Sequence, residues 1–282
     1  VDLLGGEGAE AWEILTESRI ALERGEDVIV LSIGDPDLET PGFVVDAAVD
    51  ALRNGDTHYT ELEGRSSLRS AIASKLSSSA GVLIDPDWVT VLAGTQNAFY
   101  SACRCLFGAG DEVIVLDPSY VTYEASIAST GAKQVRVEQP ALNGFRPRID
   151  AIQAAVTPAT KGIVFSNPSN PTGVALRKEE LEAIARLAVD NDLWVVVDEV
   201  YSDLVFEGAH HSIVGMPEML ERTVTVSSVS KSYAMTGWRC GWAVGPSELG
   251  SHLRKMSLIN LYGLPGFIME AANTALREGG EE

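Results

Sequence analysis

Short apolar segments that end in polar residues recur along the chain, and longer amphipathic stretches separate them. The short segments predict strands, whereas a stretch such as 178–191 carries its apolar residues at helical spacing. Because strands and helices alternate, we predict a three-layer α/β/α fold with a mostly parallel sheet. The predicted strands are residues 89–92, 112–116, 162–166, 193–198, 223–227 and 241–244.

A lysine among hydroxyl groups follows one of these strands. Ser228 and Ser230 precede Lys231, and Arg239 comes eight residues after the lysine. A lysine amine that is desolvated near another cation loses its proton readily and can then form a Schiff base with pyridoxal phosphate. The fork of Arg239 and the serine hydroxyls suit the phosphate of such a cofactor. The alternative is a solvated turn followed by a surface cation.

A carboxylate ends the predicted strand 193–198. This run is apolar up to Asp198, which is typical of a strand buried on both faces of a parallel sheet. Open α/β sheets bind their ligands at the carboxyl ends of the strands. Asp198 is therefore a candidate partner for the pyridine nitrogen of the cofactor, and Tyr201 for its phenolic oxygen. The alternative is that Asp198 caps a following helix.

The predicted strand 162–166 runs into two successive Ser-Asn-Pro turns. A residue before proline avoids helical geometry, so we expect a rigid loop in which the asparagine amides point in fixed directions. Asn170 in this loop is a candidate donor to the same phenolic oxygen as Tyr201. An ordinary loop between a strand and a helix is the alternative.

A glycine turn joins the predicted strand 89–92 to a predicted helix that runs to about Phe107. The turn and the start of the helix contain Gly94, Thr95 and Gln96. Backbone amides at a helix N-terminus bind anions, and glycine allows a phosphate to approach closely. The competing interpretation is a plain strand-to-helix turn.

These segments occur together with two motifs nearer the start of the chain. Residues 32–37 read Ser-Ile-Gly-Asp-Pro-Asp, and residues 57–60 read Thr-His-Tyr-Thr. In this order, from Ser32 to Arg239, the motifs resemble those of the class I/II aminotransferases, the aspartate aminotransferase-like family of fold type I pyridoxal-phosphate enzymes. The combination is far more specific than any one motif. The resemblance implies a large cofactor-binding domain and part of a small α+β domain.

The resemblance also implies a role for each matched residue. Lys231 is expected to form the Schiff base and to move the α-proton of the substrate, and Asp198 is expected to pair with the pyridinium nitrogen. The other implied contacts are Asn170 and Tyr201 at the phenolic oxygen, Ser228, Arg239 and the amides of Thr95 and Gln96 at the phosphate, Tyr120 stacked on the pyridine ring, Tyr59 at the phosphate of a neighbouring subunit, and Gly34 at the substrate carboxylate. For Tyr120 and Tyr59 the alternative is core or interface packing. The match of Tyr59 implies a homodimer with shared sites.

We expect a domain boundary near residue 41. Residues 1–41 are expected to form an N-terminal arm and part of the small domain, and residues 42–282 the large domain. Family members continue into a C-terminal small domain, whose arginine binds the α-carboxylate of the substrate. We expect that domain to be absent and the sequence to be partial, since the chain begins at Val1 and ends at Glu282. Transamination by a chain of this length is then expected to be weak or absent.

Composition limits the partners. A chain of 282 residues with 45% hydrophobic content can bury a substantial core, and its net charge of -19 disfavours binding to nucleic acid. Cys103, Cys105 and Cys240 lack the spacing of a zinc site or a disulfide framework, so we expect no metal and a cytoplasmic location. We also expect no membrane span. Two further interpretations are that His210 and His211 are surface loop residues and that residues 77–79 form a short loop.

The predicted function is transfer of the amino group from an L-amino acid to a 2-oxo acid. The alternative is a pyridoxal-phosphate lyase of the carbon–sulfur or cyclopropane-carboxylate synthase type, in which the same carbanion eliminates. A regulatory module is disfavoured, because the basic DNA-binding segment expected before such a module is not present in the sequence. The substrate stays open. The residues 34–41 and 261–267 resemble those of broad-range or arginine–pyruvate aminotransferases.

Overall fold

The computed structural model describes residues 10–281. Residues 1–9 of the predicted arm and residue 282 of the predicted large domain lie outside the described residues. The strands are β1 (Val89–Leu92), β2 (Glu112–Asp117), β3 (Lys133–Glu138), β4 (Thr160–Ser166), β5 (Trp194–Asp198), β6 (Thr223–Ser228) and β7 (Gly241–Val244). The α-helices are α1 (Glu10–Glu23), α2 (Gly42–Arg53), α3 (Ser66–Ala80), α4 (Gly94–Leu106), α5 (Thr122–Ala128), α6 (Ile149–Ala155), α7 (Lys178–Asp190), α8 (Ser247–Asn260) and α9 (Gly266–Glu278).

The strands form one seven-stranded sheet in the order β1-β7-β6-β5-β4-β2-β3. The central pairs β2/β4, β4/β5 and β5/β6 are parallel, as is the edge pair β2/β3. Strand β7 pairs antiparallel with both β1 and β6. The predicted mostly parallel α/β sheet is therefore confirmed.

Side chains alternate between the two faces of the sheet and create a separate core on each. Val164 and Val196 point to the face covered by α4 and α8, where they pack with Phe99 and Leu253. Ile163, Phe165, Val195 and Val197 point to the opposite face, where they pack with Ile184 of α7. Strands buried on both faces read as continuous apolar runs, which explains why the sequence predicted them correctly.

A third core lies between the β1/β7 end of the sheet and helices α2, α3 and α9. Helix α9 packs against both α2 and α3. Helix α3 turns Leu68, Ile72 and Leu76 into this core at one-turn spacing, and it ends at Gly81, whose φ of 71° is left-handed. Helices thus cover both faces of the sheet, which confirms the predicted three layers.

The sequence analysis missed one strand and assigned one segment wrongly. Strand β3 was not predicted, because it lies at the edge of the sheet and buries only Val137 among its residues. The serines at 77–79 do not form a loop but belong to α3. The hydroxyl of Ser77 donates to the carbonyl of Ala73 at 2.6 Å and that of Ser79 to Leu76 at 3.1 Å, so the helix itself satisfies these polar groups.

Within residues 10–281, the helices fall short of the length and apolar character that a bilayer span requires. The same range holds no cluster of histidine, cysteine and carboxylate side chains suited to a metal ion.

Candidate active site

The predicted site residues gather at one end of the sheet. Strands β4, β5 and β6 end at Ser166, Asp198 and Ser228, and Ser166 and Asp198 are register partners. Ser228 pairs in turn with Gly241, the first residue of the antiparallel strand β7. Loops from several strands therefore open at the same edge, as expected for a ligand site in an α/β sheet.

Asp198 is a buried carboxylate whose hydrogen bonds come from neutral groups. Its Oδ2 accepts from the hydroxyl of Tyr123 at 2.8 Å, and its Oδ1 accepts from the amide of Val200 at 3.1 Å. Burial raises the pKa of Asp198 to about 6, and the two hydrogen bonds only partly oppose this. A cation placed beside this carboxylate would be attracted strongly, because folding has already removed the water around the negative charge.

Sequence reasoning missed Tyr123. Its side chain is 1% exposed and stacks on Phe99 with a centroid distance of 4.3 Å, which holds the hydroxyl in place against Asp198. Tyr120 packs edge-on against Tyr123 at 5.8 Å. No local pattern marks Tyr123: its importance comes from the contact with Asp198, which lies 75 positions further along the chain.

Lys231 lies beyond the end of β6 and is half-buried. Its Nζ donates to the carbonyl oxygen of Gly34. Burial lowers the pKa of Lys231, the carboxylate of Asp35 opposes that effect, and the guanidinium of Arg239 adds to it. A lysine with a lowered pKa is the amine expected for Schiff-base chemistry.

Asn170 and Tyr201 come together although 31 positions separate them in the sequence. The amide Nδ2 of Asn170 donates to the hydroxyl of Tyr201 at 3.4 Å, a long contact. The backbone amide of Asn170 is held by the hydroxyl of Ser166 at 3.1 Å. The predicted loop thus places Asn170 beside Tyr201, which comes from the turn after β5.

A cradle of donors surrounds the start of α4. No side chain caps this helix in the described part of the chain, so the first amides remain available. The hydroxyl of Thr95 donates to that of Ser228 at 2.9 Å, and the amide of Ser230 donates to Ser228 at 3.2 Å. Gln96 contributes its backbone here, since its side chain contacts Ser126 and Thr122.

Two glycines allow the cradle to form. Gly94 has a φ of 83°, and a Cβ at this position would lie 3.0 Å from the Cζ of Arg239. A Cβ on Gly241 would lie 2.7 Å from the amide nitrogen of Thr95. Helix start, guanidinium and strand β7 therefore approach one another only because both positions lack a side chain. Arg239 itself is exposed and donates to the carbonyl of Thr236 at 2.7 Å.

The donor set fits pyridoxal phosphate. The cradle offers a guanidinium, hydroxyls and free helix amides to a phosphate. Asp198 offers an unmatched buried negative charge to a protonated ring nitrogen. The residues present thus match both ends of that cofactor.

Tyr59 lies apart from the residues described above. Its side chain is 85% exposed and its ring packs at 4.9 Å from that of Tyr262. Both line an open cavity of about 500 Å³ formed by residues 56–60 and 261–267, and this cavity contains none of the other predicted site residues. Within one chain, Tyr59 does not reach the cradle that its predicted role requires.

His210 is not a surface residue, contrary to the prediction. Its side chain is 8% exposed, and its Nε2 lies 3.8 Å from Oε1 of Glu199 and 3.2 Å from the carbonyl of Asn167. Glu199 is buried next to Asp198, and burial raises its pKa to about 8 with a further contribution from the Asp198 charge. The histidine has this environment because Asn167 donates to the carbonyl of His211 at 2.9 Å and so holds the loop inward.

Comparison with known proteins agrees with this geometry. A family model described as Aminotransferase class I and II matches residues 26–281. The chain belongs to this family. It is similar to the arginine–pyruvate transaminase of Pseudomonas aeruginosa, with 46% identity over 97% of the chain and 70% of that protein. It is also 39% identical to the aspartate aminotransferase of Pyrococcus abyssi over 90% of the chain and 66% of the relative.

Solved structures show the same similarity. The aspartate aminotransferase of Thermus thermophilus, solved with maleate, superposes with a TM-score of 0.94 and 34% identity over 99% of the chain and 72% of that structure. The chain spans 58% of the length of the aspartate/prephenate aminotransferase of the same organism. The resemblance to class I/II aminotransferases and the fold are thereby confirmed. The relatives' names support amino-group transfer, and none of them favours the lyase alternative.

Burial of Glu199 beside Asp198 makes the free energy of unfolding depend on pH. The pKa of Glu199 is raised from 4.5 to about 8, so between these values the folded state holds a proton that the unfolded state has lost. The free energy of unfolding must fall as pH rises through this window. We expect Glu199→Gln to flatten that fall and to be more stable than the parent at pH 8 by on the order of 1–4 kcal/mol.

The measurement is urea unfolding of the cofactor-free protein at several pH values. Glu138→Gln, on the exposed edge strand β3, is the matched control and should leave the shape of the pH curve unchanged. Parallel curves for Glu199→Gln and the parent protein would show that Glu199 ionises as an ordinary surface carboxyl.

Proposed function

We propose that the protein transfers the amino group of an L-amino acid to a 2-oxo acid with pyridoxal phosphate as its cofactor. The observation that carries this proposal is the meeting of three groups at one edge of the sheet: an amine with a lowered pKa at Lys231, a donor cradle around Gly94, and a buried carboxylate at Asp198. Family membership supports the same reaction.

Each end of the cofactor has its proposed partners. Asp198 pairs with the ring nitrogen, and Asn170 and Tyr201 donate to the phenolic oxygen. Tyr120 stacks on the ring face. The amides of Gly94, Thr95 and Gln96, the hydroxyls of Ser228 and Ser230, and the guanidinium of Arg239 would hold the phosphate. The supporting contacts are those among these side chains.

Pyridoxal phosphate, when bound, supplies an electron-withdrawing ring that stabilises the carbanion left after the substrate loses its α-proton. Asp198 would strengthen the electron-withdrawing effect of the ring, because its buried charge favours a proton on the ring nitrogen. Tyr123 fixes the direction of the carboxylate through its hydrogen bond to Oδ2 at 2.8 Å. The residues therefore set both the charge and the orientation of the site.

Lys231 is the proposed acid–base group. Its Nζ holds the cofactor before substrate arrives and afterwards takes the α-proton and returns it. Partial burial and Arg239 lower its pKa, which leaves more of the amine in the neutral form that accepts a proton. Gly34, whose carbonyl contacts Nζ, is proposed to bind the substrate carboxylate through its amide.

We propose arginine as one amino donor and pyruvate as one acceptor. The support is the 46% identity to the arginine–pyruvate transaminase across 97% of the chain. The identity to the aspartate aminotransferases is lower, at 39% and 40%. A panel of amino donors should therefore include arginine, aspartate and an aromatic amino acid.

We propose a homodimer in which Tyr59 reaches the phosphate bound by the partner. The supporting observation is that Tyr59 is 85% exposed beside Tyr262 and away from the cradle of its own chain. A cytoplasmic location is part of the proposal. It is supported by three free thiols, two of them buried.

We also propose the domain division at residue 41. Residues 42–281 contain the sheet and the helices that pack on it. The segment before residue 42 exposes large apolar side chains, with Ile29 at 83%, Leu31 at 87% and Leu38 at 76%. Side chains of this kind are expected to pack in an arm and small domain rather than against the large domain.

The reaction is tested by replacing Asp198 with asparagine. The amide cannot favour a charged ring nitrogen, so we expect Asp198→Asn to retain cofactor binding but to lower the rate of amino-group transfer by about 10²–10⁴-fold. Single-turnover formation of the 2-oxo acid from the donor panel measures the rate. Ammonia is assayed in parallel, because its release would indicate elimination.

Asp150→Asn, an exposed carboxylate of α6, is the control and should retain the parent rate. A rate for Asp198→Asn within about threefold of the parent would contradict the role of this carboxylate.

The dimer is tested through Tyr59. Loss of one hydroxyl that donates to a charged phosphate is expected to weaken cofactor affinity about tenfold in Tyr59→Phe. Tyr262→Phe, which keeps the neighbouring ring, is the control and should bind the cofactor as the parent does. Fluorescence titration gives the affinity and analytical ultracentrifugation the oligomeric state. A monomer with unchanged affinity in Tyr59→Phe would contradict the shared site.

A further inference from the structure

One ammonium group contacts two turns of the proposed site. Lys75 Nζ donates to Oδ2 of Asp203 at 2.6 Å and to the hydroxyl of Tyr233 at 3.4 Å. Asp203 follows Tyr201 by two residues on the turn after β5, and Tyr233 follows Lys231 by two residues on the turn after β6. Lys75 therefore bridges the turn that carries Tyr201 and the turn that carries Lys231.

The bridge starts from a rigid element. Lys75 lies on α3, whose face formed by Leu68, Ile72 and Leu76 is buried in the core that also contains Val229 of the lysine turn. Burial lowers the pKa of Lys75, but the hydrogen bond and charge of Asp203 outweigh this and raise it above its usual value. The group therefore remains a cation with donors directed at both turns.

Each turn is closed by its own backbone hydrogen bond. The amide of Leu204 bonds to the carbonyl of Tyr201 at 2.9 Å, and the amide of Met235 bonds to the carbonyl of Ser230 at 3.1 Å. Beyond the strand ends, the contact through Lys75 joins the two. The Tyr233 ring also packs against Gly279, since a Cβ at that position would lie 2.8 Å from its Cε1.

We propose that Lys75 is a positioning residue that holds the Tyr201 turn and the Lys231 turn at a fixed separation. This inference rests on the proposed function, because the separation matters only if Tyr201 and Lys231 act on the same bound molecule. Lys75 touches neither substrate nor cofactor and acts through Asp203 and Tyr233.

The effect of breaking the bridge is expected to be local. The side chains of Lys75 and Asp203 are 32% and 39% exposed, and an ion pair at that exposure contributes little to overall stability. The melting temperature should therefore fall by less than about 4 °C. The motion of the two turns should change far more.

Amide hydrogen exchange of the cofactor-free protein, read by mass spectrometry, tests the proposal. We expect Lys75→Met to accelerate exchange at least about fivefold in segments 199–205 and 229–235 together. Asp203→Asn and Tyr233→Phe should accelerate both segments as well, although each removes only one contact. Lys75→Arg, which retains the charge and donors, should leave the exchange rate of both segments close to that of the parent protein.

A double substitution tests whether the three residues act together. If the three residues act as one bridge, Lys75→Met combined with Asp203→Asn should accelerate exchange no more than Lys75→Met alone. Lys133→Met is the matched control, because it removes a comparable ion pair of 2.9 Å to Glu112 at the edge of the sheet. It should leave both segments unchanged. Acceleration confined to the substituted turn or to α3 would overturn the proposal.

A kinetic measurement addresses the reaction separately. In protein loaded with pyridoxal phosphate, Lys75→Met should lower kcat about three- to tenfold with KM within about twofold, and Lys75→Arg should recover kcat. An unchanged kcat would overturn the positioning role even if exchange responded. Failure of pyridoxal phosphate to label Lys231 of the parent protein on borohydride reduction would instead refute the proposed function, and the exchange result would still stand.

Discussion

The carboxylate of Asp198 is the constraint on which the site depends. The strand β5 carries it into the interior, where burial raises its pKa to about 6 and neutral donors are its hydrogen-bond partners. Desolvating such a group costs stability unless a cation compensates it, and the proposed pairing with the ring nitrogen of the cofactor would provide that cation. Tyr123 fixes the orientation of the carboxylate through its hydroxyl, and Tyr120 and Phe99 pack against the Tyr123 ring.

Most of the fold follows from the sequence because the central strands are buried on both faces. Their apolar runs are bounded by turn residues, and the predicted bounds agree with β1 and β7 and lie within two residues for β4. Edge strand β3 escaped prediction since its residues face solvent and alternate weakly. The serines of α3 were wrongly predicted to form a loop for another reason. Their hydroxyls donate to carbonyls of the same helix, and the composition of the segment does not show that such bonds form.

The site was predictable where motifs place a residue at a strand end. Lys231, Asp198, Asn170 and Gly94 lie at such places. Tyr123 and Lys75 were not predictable, because their importance depends on contacts across 75 and 128 positions of sequence. His210 was misjudged for the same reason, since the buried carboxylate beside it comes from another segment. Tyr59 shows the opposite case, a motif residue that packs on Tyr262 within one chain, away from the phosphate site predicted for it.

The central claim is that Lys231 is the amine that holds the cofactor. Borohydride reduction of the protein mixed with pyridoxal phosphate, followed by peptide mass spectrometry, tests it most directly. We expect a single pyridoxyl-labelled peptide that contains Lys231, and loss of that label in Lys231→Ala. A label spread over exposed lysines such as Lys133, with Lys231 unmodified, would contradict it.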